Sequence, residues 1–333
     1  MRGKQDPGSI TRRTFLKAGA TGAVLAAAGP ALPQAAQPPR AKGPRVWLDL
    51  DQKELDDAYD QSVYAPNQPQ ITGRYATNSE ITRARLGAPL RFAYGSAPVE
   101  GLDVFTAKRP NAPINIFVHG GAWRGGLAKN YAFPAESFVS AGANFVVLDF
   151  SPVQDFAGNL SMMAEQVRRA VAWVHRNAKE FGGDANRLYL SGHSSGAHLA
   201  GVVLVTDWQR EFDLPADTVK GGLLCSGMYD LKPVRLSARS SYLKFTDEME
   251  HALSTQRHLG RLNCPVVVAH GTLETPEFQR QTRDFAAAVK AAGKPAQLLV
   301  ARGYNHFEIF ETLASPYGLL GRAALEQMKL VPA

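Results

Sequence analysis

The sequence has little of the charge that nucleic-acid binding requires. Its 37 Lys and Arg residues against 30 Asp and Glu residues give a formal net charge of +7 over 333 residues. Residues 1–36 hold five basic side chains and one acidic side chain, a net charge of +4, so the rest carries only about +3 (7 − 4). No run rich in Lys or Arg occurs in that remainder, so we expect no nucleic-acid partner.

Long hydrophobic runs and cysteines are also scarce. The uncharged apolar stretch from Ala18 to Leu32 has 15 residues, fewer than the ~20 that a membrane-spanning helix needs. No second run of that length follows it, so we expect no stable membrane span. Cys225 and Cys264 are the only cysteines. They fall at opposite ends of two predicted parallel strands, beyond disulfide reach, which predicts two buried free thiols.

Motifs for a metal ion or a nucleotide cofactor are absent from the sequence. The eight histidines show neither His-x-x-x-His nor mixed Cys/His ligand spacing. Gly120 and Gly121 lack the Gly-x-Gly-x-x-Gly spacing of a dinucleotide-binding loop. The sequence therefore predicts neither a metal site nor a cofactor.

The first 36 residues have the pattern of an export signal. Ile10 to Lys17 contains Arg12-Arg13 and resembles the twin-arginine signal of bacteria, and the Ala/Gly stretch follows it. Small residues from Ala28 to Ala36 leave the cleavage site open. We expect the twin-arginine export machinery to deliver a folded protein to the periplasm or beyond, and residues 37–333 to form a single domain.

The remaining sequence indicates an α/β fold. Short, mostly apolar runs alternate with amphipathic helical patterns, which is typical of a mostly parallel central sheet with helices on both faces. A helix is predicted over 51–64, and an antiparallel hairpin precedes the parallel strands. Residues 231–262 form a polar, partly helical insertion that predicts a small cap or lid. The predicted strands are 90–94 and 102–106 for the hairpin, then 114–118, 145–150, 187–191, 222–227, 265–270 and 296–301, with helices over 162–180 and 278–292.

A candidate nucleophile lies between a strand and a helix. Gly192-His193-Ser194-Ser195-Gly196 has the form Gly-x-Ser-x-Gly, and it follows strand 187–191 and precedes a helical pattern. A sharp turn in this context forces strained backbone on Ser194 and presents its hydroxyl above the sheet. The glycines leave room for the close crossing of strand and helix.

A second loop supplies candidate donors for an oxyanion. His119-Gly120-Gly121-Ala122-Trp123 directly follows strand 114–118. Glycines let such a loop approach a substrate, so that its backbone N–H groups face the oxygen that becomes negative during acyl transfer. We expect the N–H groups of Gly121, Ala122 and Ser195 to form the oxyanion hole.

A serine nucleophile needs a histidine base, and that histidine needs an acid. His306 follows the last predicted strand, which fits the order nucleophile, acid, base of α/β-hydrolases. Six of the other seven histidines belong to the two loops, a helix or the insertion. Glu274, the first carboxylate after strand 265–270, is the preferred acid. Asp230, after the preceding strand, remains the alternative, whereas Glu277 is expected to begin the next helix.

Together these motifs resemble the kynurenine formamidase (arylformamidase) group of α/β-hydrolases, within the esterase/lipase superfamily. The resemblance covers roughly residues 50–330 and includes the segment 56–67 around Ala58-Tyr59-Asp60. Members of the group usually carry Asp at the position of Glu274, and a Ser-His-Glu triad serves other hydrolases equally. The matching motifs lie at 119–123, 192–196, 274–278 and 305–307.

The resemblance and the motifs imply a serine hydrolase that forms an acyl-enzyme. We expect an exported carboxylesterase for small or aromatic esters, with an arylformamidase acting on aryl formamides as the alternative. A non-catalytic binding protein of the same fold is the remote alternative. Trp123, Tyr304 and Phe307 lie beside the motifs and either line an aryl pocket or pack the loops. The sequence does not specify the oligomeric state.

Overall fold

The computed structural model describes residues 40–330. The predicted export signal, residues 1–36, lies outside the described residues. Of the described residues, those from 43 to 330 belong to one compact unit. Within residues 40–330, no helix is long and apolar enough to cross a bilayer. Over the same range, no three His, Cys, Asp or Glu side chains are grouped as metal ligands would be.

The centre of the molecule is an eight-stranded sheet in the order β10-β9-β8-β7-β5-β6-β4-β3. The pairs β3–β4 and β4–β6 are antiparallel, and the other neighbours are parallel. A separate antiparallel pair, β1–β2, precedes the sheet. The strands are β1 Arg45–Trp47, β2 Leu50–Asp51, β3 Leu90–Ala93, β4 Gly101–Phe105, β5 Ala112–Val118, β6 Asn144–Leu148, β7 Gly183–His193, β8 Gly221–Cys225, β9 Val266–Gly271 and β10 Ala296–Ala301.

The predicted sheet is confirmed, including the hairpin at its edge. Every residue of the parallel neighbours β5 and β6 is buried, which explains why these strands read as mostly apolar runs rather than as alternating ones. In the hairpin, Phe92 lies opposite Leu102. The mostly parallel sheet and its helices define an α/β-hydrolase fold, as the sequence predicts.

Helices cover both faces of the sheet. Neighbouring residues of a strand point to opposite faces, and on β5 they belong to two different apolar clusters. The cluster that contains Ile116 includes residues of α4, α5 and α9, whereas the cluster that contains Phe117 includes residues of α2, α3 and α11. The helices are α1 Gln52–Asp57, α2 Gln68–Leu86, α3 Ala135–Ser140, α4 Leu160–Asn177, α5 Ser195–Leu204, α6 Trp208–Phe212, α7 Lys232–Leu236, α8 Asp247–Leu253, α9 Pro276–Ala291, α10 Glu308–Glu311 and α11 Leu319–Gln327.

The helix predicted over 51–64 is wrong in its second half. A capping box of Asp51 and Glu54 begins α1, but the helix ends at Asp57. Beyond it, the Asp60 side chain accepts a hydrogen bond from the Ser62 N–H at 2.9 Å, a local bond that competes with a helix. Pro66 disfavours helical backbone at the residue before it. The chain therefore turns at residues 58–66 toward the sheet.

Helix α2 is not predicted by the apolar pattern, although it is 19 residues long. Its buried positions are Ile71, Tyr75, Ser79 and Thr82, so half of the buried stripe is polar. Ser79 is satisfied there because its Oγ accepts a hydrogen bond from the N–H of Phe133 at 3.1 Å. A polar side chain that is buried through a tertiary hydrogen bond leaves no hydrophobic periodicity to read.

The insertion between β8 and β9 is helical. It contains α7, α8 and two 3-10 helices, Ala238–Ser241 and Thr255–Arg261.

Cys225 and Cys264 are buried free thiols, as the sequence predicts. Burial raises the pKa of the Cys264 thiol to about 12.

Candidate active site

Four loops meet at the carboxyl ends of the parallel strands. Because these strands are neighbours in the order β10-β9-β8-β7-β5, the residues that follow β5, β7, β9 and β10 lie along one edge of the sheet. α/β sheets bind their ligands at this edge. The loops carry Gly121, Ser194, Glu274 and His306, respectively.

Ser194 occupies the sharp turn between β7 and α5. Its φ is 57° and its ψ is −127°, a strained conformation for a residue with a side chain. The N–H of Ser194 donates to the carbonyl of Cys225 at 2.9 Å, which holds the turn to the end of β8. A Cβ at Gly192 would lie 2.6 Å from the carbonyl oxygen of Gly196, so the strand and the helix can cross this closely only with glycine.

The structure brings Ser194, His306 and Glu274 into one hydrogen-bonded line. The Oγ of Ser194 lies 2.9 Å from the Nε2 of His306. The Nδ1 of His306 lies 2.9 Å from the Oε2 of Glu274. His306 is 3% exposed and Glu274 is 1% exposed. This arrangement can move a proton from the serine hydroxyl to the imidazole and orient that imidazole through its other nitrogen.

Glu274 is held by two further hydrogen bonds. Its Oε1 accepts from the Oγ of Ser226 at 2.7 Å and from the N–H of Gly271 at 2.6 Å. The other oxygen is thereby left for His306. Sequence reasoning missed Ser226, although it directly follows β8 at the same edge of the sheet.

The other candidate acids are engaged elsewhere. Asp230 accepts from the N–H of Lys232 at 3.2 Å and pairs with Arg257 at 3.1 Å. Glu277 lies in the first turn of α9 and pairs with Arg280 at 2.6 Å. Of the three carboxylates, Glu274 alone is hydrogen-bonded to His306.

The loop after β5 offers free N–H groups beside the nucleophile. Neither Gly121 nor Ala122 donates its backbone N–H to another described residue. Both have positive φ, 124° and 54°, so the chain turns sharply here. Ser195 is the first residue of α5, where helix N–H groups have no partner within the helix. The N–H of Trp123 donates to the Oγ of Ser195 at 3.2 Å and joins the two loops.

Three further histidines support the loops through buried hydrogen bonds. The Nε2–H of His193 donates to the carbonyl of His306 at 2.8 Å. Burial, and then the neighbouring His306, hold the pKa of His193 well below 6.5. His198 accepts from the Nε1–H of Trp123 at 3.1 Å, and burial lowers its pKa to about 4. His119 contacts the carbonyl of Gly120 at 2.9 Å.

A cavity of about 360 Å³ opens over Ser194 and His306. Gly121 and Ala122 form part of its wall. The segment from α1 to α2 forms another part, and the insertion after β8 contributes Arg239. The complete lining is Tyr59, Asp60, Gln61, Gln68, Thr72, Tyr75, Gly120, Gly121, Ala122, Tyr131, His193, Ser194, Arg239, Phe278, His306 and Phe307. Sequence reasoning missed Gln61 and Arg239, which lie outside every motif.

Of the three aromatic residues suggested as an aryl pocket, Phe307 alone lines the cavity. Trp123 is 1% exposed and lies in the apolar core, held by its bond to His198. Tyr304 is 39% exposed, outside the cavity, and its carbonyl accepts from the N–H of Leu273. The structure therefore favours the second alternative, loop packing, for Trp123 and Tyr304.

Comparisons with known proteins agree with this fold. The BD-FAE family model matches residues 102–222. The kynurenine formamidase of Danio rerio is 30% identical over 295 residues, covering 85% of this chain and 98% of that protein. The kynurenine formamidase of Salmo salar is 31% identical, covering 80% and 93%. A crystal structure from Silicibacter sp. TM1040, provisionally assigned as a thioesterase, has a TM-score of 0.72 at 25% identity, covering 81% and 98%.

The relationship to the formamidases extends over nearly their whole length. The similarity to the solved structure supports the same architecture independently. The chain therefore belongs to the kynurenine formamidase family of α/β-hydrolases and is a hydrolase of ester or amide bonds.

Proposed function

We propose that this protein hydrolyses small or aromatic carboxylic esters through the triad Ser194, His306 and Glu274. His306 takes the proton of Ser194, whose oxygen attacks the acyl carbon. His306 then gives this proton to the leaving alcohol, and an acyl-enzyme remains. A water molecule attacks it in the same way, which releases the acid and restores the serine.

The backbone around the nucleophile stabilises the tetrahedral intermediates. The N–H groups of Gly121, Ala122 and Ser195 donate to the oxygen that becomes negative. Glu274 keeps the imidazole in the tautomer that accepts the serine proton and stabilises its charged form. No other residue in this scheme needs to change its protonation state.

Two hydrogen bonds carry the proposal: 2.9 Å from Ser194 to His306, and 2.9 Å from His306 to Glu274. The three residues come from separate loops, after β7, β10 and β9, so only the folded chain brings them together. The cavity of about 360 Å³ suits a small or aromatic acyl or alcohol group.

The test is hydrolysis of p-nitrophenyl acetate by the purified protein, with labelling by a serine-directed phosphonate. We expect turnover in the wild type, phosphonylation of Ser194, and a loss of at least about 10³-fold in kcat in Ser194→Ala. A wild type that is neither labelled by the phosphonate nor active on the ester or on an aryl formamide would instead indicate a non-catalytic binding protein. Full activity in Ser194→Ala would contradict the triad.

A second candidate activity is the hydrolysis of aryl formamides. It is supported by the two relatives that are named kynurenine formamidases. A formyl group is small and electrophilic, so one site can process both substrate classes. The two are ranked by kcat/KM for N-formylkynurenine and for phenyl acetate. A formamide preference of about 100-fold, or about 2.7 kcal/mol in transition-state binding, would reverse our order.

We also propose that the protein is exported by the twin-arginine route. Support comes from Arg12-Arg13 and the apolar Ala/Gly stretch after them. The full chain with Arg12→Lys and Arg13→Lys is expected to stay in the cytoplasm of a bacterial host, while the unaltered chain reaches the periplasm. Equal distribution of the two chains would contradict export by this route.

A further inference from the structure

Two buried hydrogen-bond donors in the cavity wall have no partner. Among the described residues, neither the Nε of Arg239 nor the Nε2 of Gln61 has an acceptor. Both residues line the cavity that contains Ser194. The Gln61 amide is oriented by its Oε1, which accepts from the N–H of Thr275 at 3.3 Å, so the free atom is the NH₂ group. A buried donor without an acceptor is costly, typically by about 1–3 kcal/mol.

Arg239 is fixed in place but is not neutralised. Its Nη2 donates to the carbonyl of Tyr59 at 2.9 Å and its Nη1 donates to the hydroxyl of Tyr242 at 2.7 Å. Its guanidinium lies over the rings of Tyr59 and Trp123, 5.6 Å from each centroid. Among residues 40–330, no carboxylate lies within ion-pair distance of it. These contacts orient the guanidinium and leave its charge without a counter-ion.

Arg239 is tied to the turn after α1 that carries Gln61. Arg239 binds the backbone of Tyr59, two residues before Gln61 in the turn after α1. The acidic side chain in the cavity wall is Asp60, which is exposed and bonds to the N–H of Ser62. The cavity lining therefore contains one guanidinium, on half-buried Arg239, and one carboxylate, on exposed Asp60.

We infer that Arg239 and Gln61 form a subsite for a carboxylate carried by the substrate. This inference rests on the proposed function and specifies its substrate class as esters or amides whose acyl or leaving group is an anion. A carboxylate supplies the two acceptor oxygens that the two free donors lack, and charge-assisted hydrogen bonds are the stronger kind. Neither residue belongs to the triad or supplies an oxyanion donor, so the subsite selects the substrate and does not activate it.

Matched substrates that differ only in this charge test the inference. The acetate esters of 3- and 4-hydroxybenzoate carry the carboxylate, and those of 3- and 4-hydroxybenzamide replace it by a neutral group of the same shape. We expect wild-type kcat/KM for the better benzoate ester to exceed that for its benzamide partner by about 10-fold or more. A wild type without this preference overturns the inference.

Variants then assign the preference to the two residues. In Arg239→Gln, the ratio of the two kcat/KM values is expected to fall by about 10- to 100-fold, and Arg239→Lys, which keeps the charge, is expected to retain part of it. Gln61→Leu is expected to lower this ratio less than Arg239→Gln does. Gln61→Glu is expected to lower it more than Gln61→Leu does, because it adds a negative charge. The control is Arg235→Gln in the same insertion, where Arg235 pairs with Asp247 and Glu250 outside the cavity. Equal losses for both substrates would show a structural role and overturn the inference.

Binding separates this inference from the proposed reaction. In Ser194→Ala, calorimetry compares 3-hydroxybenzoate and 4-hydroxybenzoate with the corresponding benzamides. Tighter binding of the benzoates that is lost in Ser194→Ala/Arg239→Gln supports the subsite, whether or not the wild type hydrolyses esters. Equal binding of benzoates and benzamides, together with active wild-type enzyme, overturns the subsite and leaves the proposed function intact.

Discussion

The hydroxyl of Ser226 donates a 2.7 Å hydrogen bond to the Oε1 of Glu274, the carboxylate that orients His306. Ser226 is therefore a positioning residue that acts through the triad acid without facing the substrate. Removing its hydroxyl leaves Glu274 with the N–H of Gly271 as the donor to that oxygen. The carboxylate of Glu274 then stays in place with one donor to Oε1 instead of two, so it is oriented less firmly toward His306.

We expect Ser226→Gly to lower kcat by about tenfold, because a hydrogen bond to a charged group contributes about 1.5–3 kcal/mol, part of which the remaining donor retains. KM is expected to change little. Ser226 has φ 56°, which strains any side chain, so Ser226→Ala tests the same loss with the strain retained. A loss of kcat in Ser226→Ala but not in Ser226→Gly would attribute the effect to backbone strain.

Replacing Glu274 by Gln should abolish most of the activity. The amide can present its NH₂ group to the Nδ1 of His306, which favours the tautomer that cannot accept the serine proton. We expect kcat to fall by about 10³- to 10⁴-fold, as for comparable triads. Asp230→Asn is the matched control, because Asp230 bonds to Lys232 and Arg257 instead. A larger loss in Asp230→Asn would assign the acid to Asp230.

The loop that holds the oxyanion donors can be tested at two of its glycines. At Gly121, φ is 124° and an added Cβ would collide with the carbonyl oxygen of Gly125. Gly121→Ala is expected to displace the donors and to lower kcat by about 10²- to 10³-fold. An added Cβ at Gly125 meets nothing within 4 Å, so Gly125→Ala should change kcat by less than about threefold. Similar losses in both variants would contradict this placement of the donors.

The stability of the fold should fall as the pH drops below 6.5, in part because of His198. Burial lowers its pKa to about 4, whereas an unfolded chain has a histidine pKa near 6.5. Between these values the unfolded state binds a proton that the folded state does not. The free energy of unfolding therefore decreases by about 1.4 kcal/mol per pH unit, or about 3 kcal/mol in total, and this contribution is constant below pH 4.

Chemical denaturation of wild type, His198→Gln and His251→Gln from pH 4 to 7.5 measures this slope. The slope should become shallower in His198→Gln, whatever that variant's stability at neutral pH. His251 is exposed, so its variant should keep the wild-type slope. Parallel curves for all three proteins would show that His198 does not contribute to the pH dependence.

The sequence predicts the sheet well because parallel strands are buried on both faces and appear as apolar runs. It also predicts which loops meet, since residues after neighbouring parallel strands share an edge. Ser194, His306 and Glu274 were selected on this basis, and the structure places them within hydrogen-bond distance of one another. Their role in catalysis remains a prediction until it is measured.

The wall of the cavity is less accessible to sequence reasoning. Trp123 adjoins a motif, and its position along the chain is compatible with both a pocket wall and loop packing. In the structure its indole lies in the apolar core and donates to His198. Gln61 and Arg239 face the cavity only because the turn after α1 and the insertion after β8 fold over the edge of the sheet. Proximity along the chain carries no information about such tertiary contacts.

The stretch from α1 to α2 also contacts the neighbours of the triad residues. The reacting groups come from residues 119–306, whereas Tyr59, Gln61 and Tyr75 reach the cavity from a stretch that precedes the sheet. Gln61 accepts from the N–H of Thr275, next to Glu274, and Tyr75 donates to the carbonyl of Phe307, next to His306. A substitution in this stretch that changes which substrates fit is therefore expected to shift the triad acid or base as well, so that selectivity and rate change together.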